Sequence, residues 1–292
     1  MPDLIIGCGY LGTRVAARWR EQNRDIHVLT RSPQRAADFR NQGMTPILGD
    51  VTDPVSLDAL ADKEYNSVLY AVGYDRSAAP SKREVYRDGL AHVLERITSR
   101  CRRFFYISST SVYGVSDGSW VDEQSPTEPT TESGEICLAA EELVRDTFHG
   151  RSASWSILRL AGIYGPNRLL RKVDMLRDNS PLPGNPDAWL NLVHVDDAAR
   201  VVLAAEQLAA PAPLYLVADD ESPTREAYYR ELARLVGAPE PQFDEAAPAK
   251  RTSGLNKRCR NDFVKKSLGF QFEYPTFRTG LPAAMRETEG LS

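Results

Sequence analysis

The chain has 292 residues, 42% hydrophobic and 26% charged, with a formal net charge of −4. That is enough chain for a sizeable core, and a slightly acidic balance with a pI near 5.7 argues against nucleic acid or an anionic membrane as partner. Cys8, Cys101, Cys137 and Cys259 are too widely spaced for a CxxC pair or a zinc set, so reduced thiols and no metal are expected.

No basic segment leads into a long apolar run, and no run approaches the roughly 20 residues that span a bilayer. The expectation is a cytoplasmic protein that handles a small molecule. Short apolar runs at Leu4–Ile6, Ile26–Leu29, Thr45–Leu48, Ser67–Val72, Phe104–Ile107 and Trp155–Leu158 read as buried strands. Between them Leu11–Trp19, Ser56–Leu60, Val85–Ile97 and Leu138–Phe148 carry helical spacing. The alternation predicts an α/β fold, a Rossmann-type doubly wound parallel sheet over residues 1–160.

After Leu160 the rhythm loosens, with Pro166, Pro181, Pro183, Pro186, Gly165 and Gly184 breaking the chain into loops. Residues 161–292 therefore read as a smaller, mixed substrate lobe. It is interleaved with the last core elements, a helix at Asp196–Leu208 and a strand at Leu214–Val217. A helix at Arg225–Val236 follows, then a linker at Ala238–Pro248 and two short helices near Asp262–Leu268 and Phe277–Glu287.

Gly7-Cys8-Gly9-Tyr10-Leu11-Gly12 fits GxGxxG between the first strand and the first helix. Gly7 permits the tight turn, Gly9 lets backbone approach a pyrophosphate, and Gly12 lets helix and strand pack. The amides from Gly9 to Gly12, at the positive end of a helix, are the expected phosphate donors. The second strand ends at Leu29-Thr30-Arg31-Ser32, with no Asp or Glu to accept from a ribose 2′-hydroxyl. Arg31, Ser32 and Arg35 offer a charged fork and a hydroxyl instead, with Arg14 nearby, which suits the 2′-phosphate of NADP over NAD. Asp50 and Val51 after the third strand are placed for the adenine, although Thr52 or Asp53 as a helix cap explains the same segment. Ala71, Val72 and Gly73 end the fourth strand with small side chains against which a cofactor can lie.

Together with Tyr106–Gly114 (YISSTSVYG), Leu158–Pro166 (LRLAGIYGP) and Val193–Asp197 (VHVDD), these motifs resemble the extended short-chain dehydrogenase/reductase superfamily, the NAD-dependent epimerase/dehydratase group. The resemblance implies an Asn–Ser/Thr–Tyr–Lys set in which Tyr moves a proton, Lys lowers the Tyr pKa and holds the nicotinamide ribose, and Ser/Thr binds the reacting oxygen. Ser109 fits the Ser/Thr position, with Ser111 two residues on and Ser108 beside the cofactor. Aligning Leu138-Ala139-Ala140-Glu141 puts Ser133 at the Tyr position and Cys137 at the Lys position, and Tyr86 falls where Asn belongs. The pattern thus resembles the atypical branch that lacks the Tyr–Lys pair. That branch holds both enzymes and non-catalytic NADP-binding regulators.

Catalytic candidates are accordingly Ser109, Ser111, Tyr86 and Tyr113. Tyr164, Arg168, Asn191 and His194 are candidates for lining a substrate site, and Asp75-Arg76 for joining them. For Tyr86, Tyr113, Tyr164 and His194 a packing role competes with each of these assignments. The expected activity is an NADP(H)-dependent oxidoreductase or epimerase/dehydratase on a polar substrate, with nucleotide-linked sugars implied by the resemblance alone. A non-catalytic NADP(H) sensor or scaffold is the alternative. Members often pair through helices beside the site, so a homodimer is compatible with the resemblance.

Overall fold

The computed structural model describes residues 1–75, 79–247 and 255–288. They fall into two compact units. The first comprises Met1–Val112, Pro129–Arg159 and Ala199–Tyr215, and the second Tyr113–Glu128, Leu160–Ala198 and Leu216–Ser292. The division differs from a single cut at residue 160 in one respect beyond the expected interleaving: Tyr113–Glu128 groups with the second unit.

The sheet has seven strands, β1 (Asp3–Ile6), β2 (Ile26–Thr30), β3 (Thr45–Leu48), β4 (Tyr65–Tyr70), β5 (Cys101–Ser109), β6 (Ser154–Leu160) and β7 (Leu214–Val217). Their order is β7-β6-β5-β4-β1-β2-β3. From β3 to β5 the strands run parallel, with Ile5 level with Val28 on one side and Leu69 on the other. Leu4, Ile5 and Ile6 are wholly buried because helices cover both faces, which is why β1 reads as an unbroken apolar run. β3 lies at the edge, where Leu48 is exposed and Pro46, with no amide hydrogen, is tolerated. The strand order reverses at β1, and sheets of this kind take ligands beyond the carboxyl ends of the strands at that point.

Five helices complete this layer, α1 (Gly12–Glu21), α2 (Pro33–Asn41), α3 (Gly89–Ile97), α4 (Glu132–Phe148) and α5 (Val195–Gln207). In α3 the buried Leu90, Val93, Leu94 and Ile97 follow the i, i+3, i+4, i+7 spacing of one helical face. Two expected helices differ in form. The segment around Ser56–Leu60 is a 3₁₀ stretch, Pro54–Asp62, capped by Asp53 and seated on Leu57 and Leu60. The segment Val85–Ile97 opens with a wide π turn, Glu84–Asp88, before α3 begins. Such turns re-aim side chains and recur at functional sites.

Glu206 on α5 ties this unit together. It accepts from Trp19 Nε1 at 2.9 Å, from both ends of the Arg24 guanidinium at 2.9 and 2.5 Å, and from Ser67 Oγ.

The second unit is built on loops, short helices and two-residue to three-residue strands. Gly162–Tyr164 pairs with Leu192–His194, Leu182–Pro183 with Phe243–Asp244, and Trp120–Val121 with Arg258–Cys259, all parallel. Its core gathers Tyr164, Val173, Leu176, Tyr228, Leu232, Phe277 and Leu281. The expected linker Ala238–Pro248 is thus partly ordered by strand pairing at Phe243–Asp244, while Pro248 lies outside the described residues. No helix among the described residues is long and apolar enough to cross a membrane.

Candidate nucleotide site

The glycine turn is shaped by β4 as much as by β1. Gly7 has φ +90°, and a Cβ there would sit 2.4 Å from the Ala71 carbonyl oxygen and 2.5 Å from Val72 N. Gly7 is therefore required where the turn crosses the end of β4, against the main chain of Ala71 and Val72. A Cβ at Gly12 would lie 2.7 Å from Gly7 O, so α1 leaves the turn at backbone contact. At Gly9 and Gly73, by contrast, a Cβ would meet nothing within 4 Å. The main chain is therefore uncovered at both of these glycines.

The donors are fewer than a count of the motif implies. Gly9 N donates to Gly7 O at 2.8 Å within the turn, so the amide of Gly9 is committed, and the Leu11 and Gly12 amides follow it at the start of α1. α1 has no side-chain cap and no acid in its first turn, so its positive end is not neutralised from within the helix. Around the turn, Arg35 donates to Cys8 O, and Arg14 donates to Tyr10 O at 2.9 Å while lying 4.3 Å from the Tyr10 ring centre. Burial pushes the Cys8 thiol up to about 12 against the Arg35 charge, so Cys8 stays neutral.

At the end of β2, Ser32 caps α2 by accepting from Arg35 N at 3.3 Å. Arg31 is half-exposed and meets carboxylates from two other strand ends, Asp75 at 3.1 Å and Asp50 at 3.9 Å. Arg31 is thus paired with carboxylates from outside β2. Asp50 also accepts from Thr52 N and Thr52 Oγ1, both at 2.9 Å, and the cap of the 3₁₀ stretch is Asp53. Val51 is buried, with its carbonyl 2.9 Å from His92 Nδ1. Arg76 lies outside the described residues.

Beyond β4 and β5 a second group of polar side chains converges. Tyr86, on the π turn, accepts from Tyr74 N at 3.1 Å. Lys82 hydrogen-bonds Ser133 Oγ in the first turn of α4, and its ammonium lies 5.3 Å from the Tyr86 ring centre. Ser109 Oγ accepts from Ser111 N at 3.2 Å. The Ser111 hydroxyl is buried against the Cys137 thiol. Burial raises the Cys137 thiol, opposed by the Ser111 hydroxyl and the Lys82 charge. α4 reaches this position because Gly134 has no side chain: a Cβ there would stand 2.4 Å from Ser111 O. Lys82 had no motif to mark it, since it sits in the polar segment Ser81-Lys82-Arg83 and only the fold brings it to Ser133.

Ser108 differs from expectation. Its hydroxyl donates to Glu141 Oε1 at 2.6 Å, and Glu141, fully buried, also holds Arg159 at 2.6 Å and Arg145 at 2.8 Å. Ser108 therefore belongs to a buried charge network, its hydroxyl donated to Glu141.

Most candidates in the second unit lie among packed and hydrogen-bonded side chains. Tyr113 is wholly buried and donates to Asp122 O at 2.7 Å, which argues against an acid–base role. Asn191 joins three segments, donating to Lys257 O at 2.8 Å and accepting from Ser222 Oγ at 3.0 Å and Cys259 N at 2.7 Å. His194 is buried, with Tyr164 and Tyr274 rings 5.2 and 4.0 Å from its own. Tyr164 is buried beside Gly280 and Asp219, and burial with the Asp219 charge raises its hydroxyl. Asp219 is itself buried, which holds its carboxyl well above the carboxylate range. Of this set Arg168 alone is exposed. Among the described residues no group of three or more His, Cys, Asp or Glu is placed to hold a metal ion.

A profile of the NAD dependent epimerase/dehydratase family matches residues 4–217. The chain is 29% identical over 280 residues to Protein YeeZ of Escherichia coli (strain K12), covering 93% of this chain and 95% of that one. It is 26% identical over 307 residues to a 3-diazoavenalumate denitrifying reductase of Streptomyces sp, covering 96% and 99%. Among solved structures, a putative NAD-dependent epimerase/dehydratase from Methylobacillus flagellatus is 29% identical with a TM-score of 0.78, over 98% of this chain and 97% of that one.

Proposed function

Because the chain belongs to the NAD dependent epimerase/dehydratase family, we propose that it binds a nicotinamide dinucleotide, NADP(H) in preference to NAD(H), and acts as an oxidoreductase or epimerase/dehydratase. The substrate class is a polar small molecule, of which a nucleotide-linked sugar is one form. The observation that carries this reading is the contrast within one turn, Gly7 wedged against β4 and Gly9 open. A structural strand–helix turn needs the first; the second leaves room for a ligand.

In this reading the amides at Leu11 and Gly12 hold the pyrophosphate, Asp50 and Val51 meet the adenine, and Gly73 lies along the cofactor. Arg31 and Ser32 face the 2′-position of the adenosine ribose. Bound there, the nicotinamide supplies reversible hydride chemistry. The protein's task is to fix its position, exclude water and hold charge near the reacting oxygen. A non-catalytic sensor is the second reading, favoured by Ser133 and Cys137, neither of which is a phenol or a fixed cation.

Calorimetric titration with NADPH and NADH tests both the binding and the preference. Asp75→Asn removes the carboxylate 3.1 Å from Arg31 and should tighten NADPH relative to NADH. Arg31→Glu should weaken NADPH selectively, by about 1–3 kcal/mol for lost charge-assisted bonds. Equal responses of the two nucleotides to both variants would remove Arg31 from the 2′-phosphate. Cofactor oxidation with a carbonyl substrate panel then separates enzyme from sensor.

A further inference from the structure

Lys82 is held in an arrangement that its own surroundings do not explain. Its ammonium hydrogen-bonds Ser133 Oγ in the first turn of α4 and faces the Tyr86 ring at 5.3 Å. Both partners are neutral, and among the described residues no carboxylate forms an ion pair with it. The nearby Glu84 accepts from Ser81 N at 2.6 Å, and Glu132 and Glu135 in the first turn of α4 are exposed. The positive end of a helix is the unfavourable end for a cation. A half-buried ammonium at that end, with no carboxylate paired to it among the described residues, is an arrangement that an electron-rich ligand would complete.

Its place along the sheet says which ligand. Gly7 packs on Ala71 and Val72 at the end of β4; three residues further Tyr74 N donates to Tyr86, and Lys82 lies over the Tyr86 ring. A nucleotide anchored at the glycine turn and extended along the strand ends toward β5 therefore arrives at Lys82 with its far half.

We propose that Lys82, positioned by Ser133 and the Tyr86 ring, supplies the positive charge of the reacting end, contacting an oxygen of the nicotinamide half of the dinucleotide. Lys82 is then a binding residue and Ser133 a positioning residue. The proposal rests on the nucleotide reading above. It gives the site a cation from the segment after β4, where α4 offers only Ser133 and Cys137.

The test compares a ligand that has the far half with one that lacks it. Reduced dinucleotide binding is followed by nicotinamide fluorescence and ADP binding by calorimetry, in wild type, Lys82→Met, Lys82→Arg and Ser133→Ala, each checked for an unchanged melting temperature. Lys82→Met should weaken the dinucleotide about tenfold or more, as expected for a lost charge-assisted bond. ADP should hold within about twofold, and Lys82→Arg should recover most of the loss, with Ser133→Ala between wild type and Lys82→Met. If Lys82→Met lowers the melting temperature, Lys82→Gln takes its place. Unchanged dinucleotide binding, or an equal loss for ADP, would overturn the role of Lys82 while leaving the glycine-turn reading intact. A wild type that binds neither ligand would overturn both.

Discussion

Replacing Gly7 and Gly9 by alanine should separate the structural from the ligand-binding half of the turn. Gly7 sits at φ +90°, in the left-handed region, where an L-residue costs about 1–2 kcal/mol. The added Cβ would also lie 2.4 Å from Ala71 O and 2.5 Å from both Ala71 C and Val72 N. These are backbone atoms and cannot rotate aside. β1 and β4 would have to part at the Ile6–Tyr70 pairing, an overpacking strain of about 1–3 kcal/mol. Gly7→Ala should therefore lose about 2–5 kcal/mol, a large share of the roughly 5–15 kcal/mol typical of a folded domain. Gly9→Ala meets nothing within 4 Å and should stay within about 0.5 kcal/mol of wild type. Yet its methyl group enters the space assigned to phosphate, so dinucleotide affinity should fall on the order of tenfold or more. Urea unfolding followed by tryptophan fluorescence gives the first quantity, and titration of the folded variant the second. A Gly7→Ala variant as stable as wild type, or a Gly9→Ala variant that binds normally, would refute this account of the turn.

Two further outcomes concern the first unit. Glu141→Ala removes the buried carboxylate that lies 2.6 Å from Arg159, itself only 3% exposed. Urea midpoints should show a loss of about 3–5 kcal/mol, whereas Arg145→Ala, at the half-open edge of the same network, should lose about 1 kcal/mol or less. Glu206 gives a pH signature. Burial raises its carboxyl, but hydrogen bonds from Arg24, Ser67 and Trp19 and the Arg24 charge outweigh it and hold it below the ordinary value of 4.5. A depressed carboxylate stabilises the fold fully above its unfolded value and loses that contribution as pH falls through the folded one. Glu206→Gln should thus be less stable at pH 7 and show a shallower loss of stability below about pH 4.5, with the two proteins converging in acid. Parallel curves would exclude Glu206 as the source of the acid sensitivity.

How far the sequence could be read depended on how local each cause is. The strands of the parallel sheet are buried on both faces, so Leu4–Ile6 and Phe104–Ile107 stand out as apolar runs, and the glycine turn is written in six consecutive residues. The 3₁₀ form of Pro54–Asp62 and the π turn at Glu84–Asp88 are tertiary adjustments to what lies beneath them, invisible to periodicity. Ser108 was legible as part of a motif but not as a donor to Glu141, because its partner lies 33 positions away. Tyr113 and His194 stand in motif positions and Asn191 in a loop, yet packing and internal hydrogen bonds hold each of them.

The same distinction applies to charge at the site. Reading along β2 finds no acid near Arg31, and reading along α4 finds no lysine. In space Asp75 and Asp50 come to Arg31 from the ends of two other strands, and Lys82 comes to Ser133 from 51 positions earlier. A parallel sheet makes such substitutions easy, because the carboxyl ends of all its strands open on one edge and every following loop starts there. An electrostatic requirement at that edge fixes a charge at a point and leaves open which loop delivers it. Motif absence in one loop is therefore weak ground for inferring an inert site, and the charges that matter are those the neighbouring strand ends bring within reach.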